Sequence, residues 1–237
     1  PRELMPVVEE ICRWTTLPVA VKPNAGLPDP NTNLYNVTPD EFAEAAAKFS
    51  HLGVKILGGC CGTSPEYIKA LTEKLSTEHF VPRTVNIPSA VCSYANTSVI
   101  DQPRIIGARI NPTGKKRFKE ALKNNDINYI LGQAIEQVSA GADILDVNVG
   151  LPDIDEKAMM VKTVKALQGV TDLPLQIDST IPDVIEAALR VYNGKAIVNS
   201  VNGEEKSLEA ILPIVKKYGA AVVGLALDEN GIPKKAE

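Results

Sequence analysis

Two adjacent cysteines follow a short apolar run in the sequence Val54-Lys55-Ile56-Leu57-Gly58-Gly59-Cys60-Cys61-Gly62-Thr63. Glycine lets the backbone bend tightly where a side chain would clash, so both thiols are expected at a bend after a strand. Thiolates are soft ligands that suit a thiophilic metal such as zinc, which makes Cys60 and Cys61 a candidate metal site. The alternative is a disulfide between the two neighbours, which would close a small, strained ring.

Later in the chain, four apolar segments each end in polar residues. A carboxylate accepts two hydrogen bonds from an amidine-like edge, and a carboxamide both donates and accepts, so together these groups suit a flat, donor-rich heterocycle. No histidine stands there to act as an imidazole acid or base. Taken singly, Asp178 could instead cap the next helix, and Asn199 could satisfy a turn. The four ends are Arg109-Ile110-Asn111, Asp146-Val147-Asn148, Asp178-Ser179-Thr180 and Asn199-Ser200-Val201-Asn202.

Alternating strands and helices are predicted to position these ends. The strands are almost continuously apolar, which is typical of a parallel sheet covered on both faces. Without a Gly-x-Gly-x-x-Gly fingerprint, the pattern favours a (βα) barrel, in which the chemistry lies at the carboxyl ends of the strands. The predicted strands are Ile105–Ile110, Asp143–Val149, Leu173–Asp178, Ala196–Ser200 and Ala220–Leu227, and the helices are about Arg117–Ala140, Ile154–Gly169, Pro182–Tyr192 and Glu204–Tyr218.

The first 75 residues show the same alternation, and residues 76–102 do not. This later stretch has no steady period and several prolines, and it is interpreted as a linker. The basic run Lys115-Lys116-Arg117 is interpreted as a solvated helix start, with an anionic ligand tail as the alternative. In the first 75 residues, helices are predicted over Glu3–Trp14, from the cap Thr38 to about Leu52, and over Pro65–Leu75, with strands over Leu17–Lys22 and Val54–Leu57.

Composition limits the classes of partner. The chain has 237 residues, 44% of them hydrophobic and 23% charged, with a net charge of −4. These values are ordinary for a soluble globular protein and give no basic surface for nucleic acid. No apolar run approaches the roughly 18 residues of a membrane helix, and a protein without a secretory leader is expected. A reducing, cytoplasmic setting is expected, with Cys12 as a core residue and Cys92 carrying no signal.

The motifs resemble those of the cobalamin-dependent methionine synthases. The run Gly58–Thr63 is similar to the zinc-binding signature of their homocysteine methyltransferase barrel, and Val21–Pro28 is similar to the strand and loop before it. A homocysteine barrel alone would indicate a betaine-type enzyme. A pterin barrel alone would indicate a dihydropteroate synthase or the corrinoid iron–sulfur protein methyltransferase. The segments that resemble a following pterin-binding barrel are Gly107–Gly114, Asp146–Gly150, Ile177–Thr180 and Asn199–Asn202.

The resemblance implies an α/β fold made of parts of two (βα)8 TIM-type barrels. Residues 1–75 would be the C-terminal part of a homocysteine-binding barrel, 76–102 an interdomain linker, and 103–237 the N-terminal part of a pterin-binding barrel. The implied reaction transfers a methyl group from methyltetrahydrofolate, by way of cobalamin, to zinc-bound homocysteine. Cobalamin would be bound by a domain of the same protein outside this chain.

The resemblance also implies roles for single residues. Cys60 and Cys61 would bind zinc, and a metal-bound homocysteine thiol loses its proton near neutral pH to become the nucleophile. Asp178 and Asn199 would bind the pterin ring, with Asn199 contacting the ring nitrogen that must be protonated as the amine leaves. The other residues assigned to this pocket are Asp146, Asn148, Arg109 and Asn111.

The sequence departs from this family in three respects. The third zinc cysteine is expected in a motif just before Pro1, and neither Cys12 nor Cys92 matches its position. Both barrels are incomplete, so the chain is expected to be the middle of a longer protein. The family usually has Glu where Ala108 stands. The alternatives are a methyltetrahydrofolate:corrinoid methyltransferase with a vestigial first segment and a non-catalytic scaffold. The intact Cys60-Cys61 motif argues against the first of these.

Overall fold

A computed structural model describes residues 1–234 of the chain. The chain divides into two compact units, one ending at Ile87 and the other beginning at Pro88. Within the described residues, no helix has both the length and the apolar character needed to cross a membrane.

The first unit is built from three α-helices and a two-stranded parallel sheet. Phe42 and Phe49 are fully buried in its core, together with Val21 of the sheet. The strands pair with Ala20 opposite Ile56. In chain order, the elements are α1 (Met5–Trp14), β1 (Ala20–Val21), α2 (Pro39–Ala47), β2 (Ile56–Leu57) and α3 (Pro65–Leu75).

Helix α2 begins where the sequence predicts and ends earlier. The Thr38 hydroxyl accepts a hydrogen bond from the Glu41 amide at 3.3 Å, and the Glu41 carboxylate accepts one from the Thr38 amide at 2.9 Å. This reciprocal pair satisfies two amides that the first helical turn leaves free. The chain then tightens into a 3-10 helix over Lys48–Leu52, and Gly53 closes it with a left-handed φ of 72°.

The second unit is a five-stranded parallel sheet with helices between its strands. The strand order is β5-β6-β7-β8-β9, so each strand pairs with the next one along the chain. The predicted α/β class with incomplete, barrel-type parallel sheets is confirmed. The elements are β3 (Ala90–Cys92), β4 (Thr97–Val99), β5 (Ile106–Ile110), α4 (Lys116–Lys123), α5 (Ile127–Ser139), β6 (Ile144–Val147), α6 (Glu156–Leu167), β7 (Leu175–Asp178), α7 (Pro182–Val191), β8 (Ile197–Val201), α8 (Glu205–Tyr218) and β9 (Ala221–Gly224).

The two faces of this sheet have different roles because side chains alternate along a strand. Leu145 and Val147 of β6 lie in the large core cluster, as do Leu175 and Ile177 of β7. The opposite face begins with an apolar layer, in which Ile144 and Ile197 pack with Val91 of β3. The later residues of this second face are polar, and they include the predicted site.

One predicted helix is wrong. The interval 117–140 contains two helices, α4 and α5, separated at residues 124–126. Asn125 there adopts a left-handed φ of 56°, and the Asp126 carboxylate accepts the Tyr129 amide at 3.1 Å to begin α5. Asn and Asp favour such positions because their short polar side chains bond to the nearby backbone.

The predicted linker, residues 76–102, contains regular structure. Strands β3 and β4 pair as an antiparallel hairpin inside it. Arg83, before the hairpin, donates to the carbonyls of Thr15 and Leu17 at 2.8 Å each, so this part of the segment packs on the first unit. The assignment of residues 76–102 as the connection between two barrels stays a prediction.

The hairpin is attached to the amino ends of β7 and β8. The Cys92 amide donates to the Lys195 carbonyl at 3.0 Å, just before β8 begins. The Tyr192 hydroxyl donates to the Cys92 carbonyl at 2.9 Å and accepts the Leu175 amide at 3.1 Å. Burial raises the pKa of Tyr192 to about 12, so this hydroxyl keeps its proton at neutral pH.

Candidate functional site

The thiol pair lies in a loop that follows β2. Cys60 and Cys61 are exposed and unbridged, and their Sγ atoms are 3.9 Å apart. The loop is held by the segment after β1, since the Cys60 amide donates to the Pro23 carbonyl at 3.0 Å and the Ala25 amide donates to the Cys61 carbonyl at 3.0 Å. The Cys61 amide also donates to the Asn24 side chain at 3.2 Å. The predicted disulfide alternative is absent from the structure.

Gly62 allows this loop to turn. It adopts a φ of 77°, which side chains with a Cβ rarely accept, and an added Cβ would overlap the ring of Tyr35. Thr63 closes the turn by donating its hydroxyl to the Cys60 carbonyl at 2.6 Å. Gly62 therefore allows both the turn that positions the thiols and the close packing of the Tyr35 ring.

The spacing of the thiols fits a metal. Two sulfur ligands on a tetrahedral zinc, each about 2.3 Å from it, lie about 3.8 Å apart. The observed separation of 3.9 Å is close to this value. In residues 1–234, no group of three or more Cys, His, Asp or Glu side chains is arranged to hold a metal. Cys12 is buried and accepts from Arg83 at 3.1 Å, and Cys92 belongs to β3 of the second unit.

Four of the predicted pterin-site residues come together at the carboxyl ends of β6, β7 and β8. In the backbone register, Asp178 lies opposite Asn199. The Asn148 side chain donates to Asp178 Oδ2 at 2.9 Å. Asn199 Nδ2 lies 3.5 Å from Asp146 Oδ1, the longest contact of the group. We call Asp146, Asn148, Asp178 and Asn199 the polar cluster.

The two carboxylates of the polar cluster differ in their exposure to solvent. Asp146 is only 4% exposed, whereas Asp178 is partly exposed. Burial raises the pKa of Asp146 above its usual value, and the negative charge of Asp178 adds to this. The donor groups of Gln176 and Asn199 act in the opposite direction. Asp178 is therefore the carboxylate that is more accessible to a ligand.

Arg109 and Asn111 are not joined to the polar cluster by hydrogen bonds in the described part of the chain. β5 contains a bulge, where the Arg109 amide donates to the Gln137 side chain at 2.7 Å. The Arg109 side chain is exposed. Asn111 uses its side-chain oxygen locally, accepting the Thr113 amide at 2.8 Å. Their assignment to the pocket stays a prediction.

Lys115 of the basic run bonds to the end of a strand. Lys115 donates to the carbonyl of Arg109 at 2.9 Å and to that of Ala108 at 3.3 Å, at the end of β5. Burial, together with the Arg109 charge, lowers the pKa of Lys115. Lys116 and Arg117 are exposed in the first turn of α4, as predicted for a solvated helix start.

Two models of known protein families match this chain. The family model described as "Pterin binding enzyme" matches residues 107–237, more than half of the chain. The chain belongs to the pterin-binding enzyme family. A second model, "Homocysteine S-methyltransferase", matches residues 1–75 of the same chain. The two matches therefore fall on either side of the predicted linker, in the order that the motifs predict.

Curated relatives cover the whole chain. Methionine synthase of Mycobacterium tuberculosis is 34% identical over 248 residues, covering 100% of this chain and 21% of the relative. Methionine synthase of Mycobacterium leprae is 33% identical over 253 residues, with the same coverage. This pterin-binding enzyme thus spans about a fifth of the length of the curated relatives it matches.

Dihydropteroate synthases are among the solved structures to which part of this chain is similar. The Yersinia pestis enzyme with a pterine-sulfa conjugate has a TM-score of 0.45 and 19% identity, covering 63% of this chain and 52% of that one. The Xanthomonas albilineans enzyme with 7,8-dihydropteroate has a TM-score of 0.41 and 22% identity, covering 56% and 49%.

Sequence analysis missed two polar side chains beside the cluster of this pterin-binding enzyme. Gln176 donates to Asp146 Oδ1 at 2.6 Å, and Glu156 accepts the Ser179 hydroxyl at 2.6 Å. Gln176 stands two residues before Asp178, so it lies on the same face of the strand. A polar residue at that spacing, inside an otherwise apolar run, was the available signal.

Proposed function

We propose that this chain is part of a methionine synthase, the 5-methyltetrahydrofolate–homocysteine S-methyltransferase. The observation that carries the proposal is the polar cluster, which gathers two carboxylates and two carboxamides at the carboxyl ends of three neighbouring strands. The matches to two family models, in the order found in this chain, support the same function. The proposal includes both sites and their substrates, methyltetrahydrofolate and homocysteine.

In the folate half of the reaction, Asp178 binds the donor edge of the pterin. Its carboxylate is held by Asn148, which occupies Oδ2 and limits rotation of the group. An ionised carboxylate only accepts hydrogen bonds, so it selects a ring edge rich in N–H groups. Asn199 lies directly opposite Asp178 in the register, where its carboxamide can contact the ring nitrogen that gains a proton. Asp178 and Asn199 are the proposed catalytic pair.

In the homocysteine half of the reaction, Cys60 and Cys61 hold zinc. Bound zinc supplies the charge that keeps the homocysteine thiol deprotonated near neutral pH. The chain's own contribution is the loop that presents both sulfurs at metal-like spacing and keeps them exposed to a substrate. A third ligand comes from outside residues 1–237 in this proposal.

The remaining requirements of the reaction lie outside this chain. Cobalamin would be bound by another domain of the same protein and would supply the methyl-carrying chemistry that the two sites need. That domain is the proposed protein partner, with no role for nucleic acid or membrane, and the proposed compartment is the cytoplasm. Arg109 and Asn111 are retained as pterin-site residues that the ligand would have to reorder, since Asn111 is engaged with Thr113.

A methyltetrahydrofolate:corrinoid methyltransferase is the second candidate, and a scaffold is the third. A methyltetrahydrofolate:corrinoid methyltransferase needs only the polar cluster. In such an enzyme, nothing would require the two sulfurs to keep a separation that suits a metal. The loop instead keeps a separation of 3.9 Å between the sulfurs, and five backbone and side-chain hydrogen bonds hold Cys60 and Cys61 in place. A scaffold would not need the polar cluster.

Replacing Asp178 with Ala in the full-length protein tests the proposal. We expect methyltetrahydrofolate binding to weaken by at least about tenfold, because loss of a charged hydrogen-bond partner costs about 1.5–3 kcal/mol. Isothermal titration calorimetry measures the change. Asp172→Ala, at an exposed aspartate three residues before β7 begins, is the control and should bind as the unaltered protein does. Equal affinity in both variants would contradict the folate assignment.

A further inference from the structure

Gln176 lies directly below the polar cluster, in the middle of β7. Its partner in the parallel register is Asp146 of β6, and its Nε2 donates to Asp146 Oδ1 at 2.6 Å. Gln176 is 6% exposed and Asp146 is 4% exposed. Because an ionised carboxylate can only accept, Gln176 must turn its nitrogen toward Asp146.

The same carboxylate oxygen faces Asn199. Asn199 Nδ2 lies 3.5 Å from Asp146 Oδ1, and the same chemical rule turns the nitrogen of Asn199 toward Asp146. The oxygen and nitrogen of a carboxamide point in different directions from their shared carbon. Asn199 Oδ1 is therefore directed away from Asp146 and is available as an acceptor, which is the group that a protonated ring nitrogen requires.

We propose that Gln176 is a positioning residue for the folate reaction: by holding Asp146, it determines that Asn199 presents its oxygen, and not its nitrogen, to the ligand. Gln176 acts through Asp146 and does not touch the folate. This inference rests on the proposed function of the polar cluster and adds to it the residue that sets the direction of a catalytic hydrogen bond.

The other end of Gln176 supports this role. Its Oε1 is buried and accepts no hydrogen bond within residues 1–234. A buried acceptor without a donor is unfavourable, and Met would fill a similar volume without that cost. The hydrogen bond from Nε2 to Asp146 is thus the advantage that Gln has over an apolar side chain at this position.

The protonation of Asp146 gives the inference a second test. Burial and the charge of Asp178 raise the pKa of Asp146, whereas the donors Gln176 and Asn199 lower it. A protonated Asp146 could itself donate, and Asn199 would then be free to reverse its carboxamide. Removing the Gln176 donor raises the pKa of Asp146 further, so the reversal would begin at a higher pH.

The experiment compares Gln176→Met with Gln168→Met in the full-length protein. Gln168 is a matched control because its amide donates to the backbone carbonyls of Val164 and Val191 and accepts the Asn193 amide, away from the polar cluster. For Gln176→Met, we expect kcat to fall about 10- to 100-fold, as for loss of other groups that orient a functional side chain. The KM for methyltetrahydrofolate should change less than about threefold, and the acid limb of the pH profile of kcat should move to higher pH.

Three outcomes would overturn the inference. Gln176→Met could match Gln168→Met in both kcat and pH profile, which would leave Gln176 a purely structural residue. It could raise KM with kcat unchanged, which would mean that Gln176 binds the ligand directly. It could lower kcat with no shift of the acid limb, which would separate Gln176 from Asp146. Asp178→Ala distinguishes the two proposals: unchanged folate binding there defeats the function itself, whereas lost binding with an inert Gln176→Met defeats only the positioning role.

Discussion

At the scale of single residues, the polar cluster is defined by which groups donate and which accept. Two carboxylates stand near each other, and each is paired with a carboxamide that supplies hydrogens: Asn148 for Asp178, and Gln176 for Asp146. This pairing lets two acidic groups share a small space without leaving either one unsatisfied. The more exposed carboxylate, Asp178, is then free to bind a ligand through its remaining acceptor sites.

The thiol loop depends on two glycines in different ways. Gly62 has a left-handed φ and faces the Tyr35 ring, whereas a Cβ on Gly58 would meet only the Lys22 side chain at an ordinary 3.5 Å. The first position is restricted by both backbone conformation and space. The second is restricted by neither.

We therefore expect Gly62→Ala to displace the thiols and Gly58→Ala to leave them in place. The strained conformation at position 62 costs about 1–3 kcal/mol, which the loop avoids by opening. Zinc per molecule of full-length protein, measured by atomic emission, should fall in Gly62→Ala toward the value of a Cys60→Ser/Cys61→Ser variant. Full zinc content in Gly62→Ala would show that the loop geometry does not set the metal site, and undiminished zinc in the double-serine variant would remove Cys60 and Cys61 as ligands.

At the scale of elements, the hairpin of β3 and β4 completes one end of the second unit. It covers the apolar layer of Ile144 and Ile197 and bonds to the backbone at the amino end of β8. Tyr192 connects three parts of the fold, since one hydroxyl joins the hairpin at Cys92 to β7 at Leu175. The polar cluster lies at the opposite, carboxyl end of the same strands.

Replacing Tyr192 with Phe should destabilise this end. The substitution leaves the Leu175 amide without its acceptor in a buried position, at a cost of about 1–3 kcal/mol. The pKa of Tyr192 is raised to about 12 in the folded chain, above its ordinary value of 10.0. The folded state therefore holds this proton more tightly, and the contribution of Tyr192 is complete below pH 10 and lost as the pH rises toward 12.

Thermal unfolding of the full-length protein measures both parts of this prediction. At pH 7 the Tyr192→Phe variant should melt at a lower temperature than the unaltered protein, and the difference should narrow between pH 10 and pH 12. Tyr94→Phe is the control, because Tyr94 is 61% exposed. A difference that stays constant through this pH range would mean that the hydroxyl does not act through its proton.

At the scale of the whole molecule, each unit contains a parallel sheet that does not close on itself. In the described residues, β5 and β9 are the outer strands of the second sheet, and the first unit has only β1 and β2. Outer strands present unpaired backbone groups that can pair with another chain. The outer strands of both sheets therefore favour association between copies of this chain when it is expressed alone.

We expect residues 1–237, expressed alone, to self-associate and to bind methyltetrahydrofolate far more weakly than the full-length protein. Light scattering after gel filtration measures the mass of the isolated chain, and calorimetry measures its folate binding. The full-length protein under the same conditions is the control. A monodisperse monomer with full folate affinity would show that this chain contains the complete folate site.

Much of the fold followed from local patterns in the sequence. Helix α3 begins and ends where the prediction places it, at Pro65 and Leu75, because Pro at the first position and an amphipathic run define a helix without help from distant residues. The break between α4 and α5 was missed because Asn124-Asn125-Asp126 continues a polar stretch that a helical period does not exclude. The hairpin was missed because its strands are three residues each and carry almost no period.

The sequence by itself determined which chemistry this chain carries: the thiol pair, and the carboxylates and carboxamides that follow apolar strands. These are properties of residue type and position, which the order of amino acids contains directly. Only the tertiary structure decided the geometry, namely the 3.9 Å between the sulfurs, the bond from Asn148 to Asp178, and the place of Gln176 beneath Asp146. The two contacts of the polar cluster join residues 30 apart in the chain, and strand register, which no local pattern specifies, brings them together.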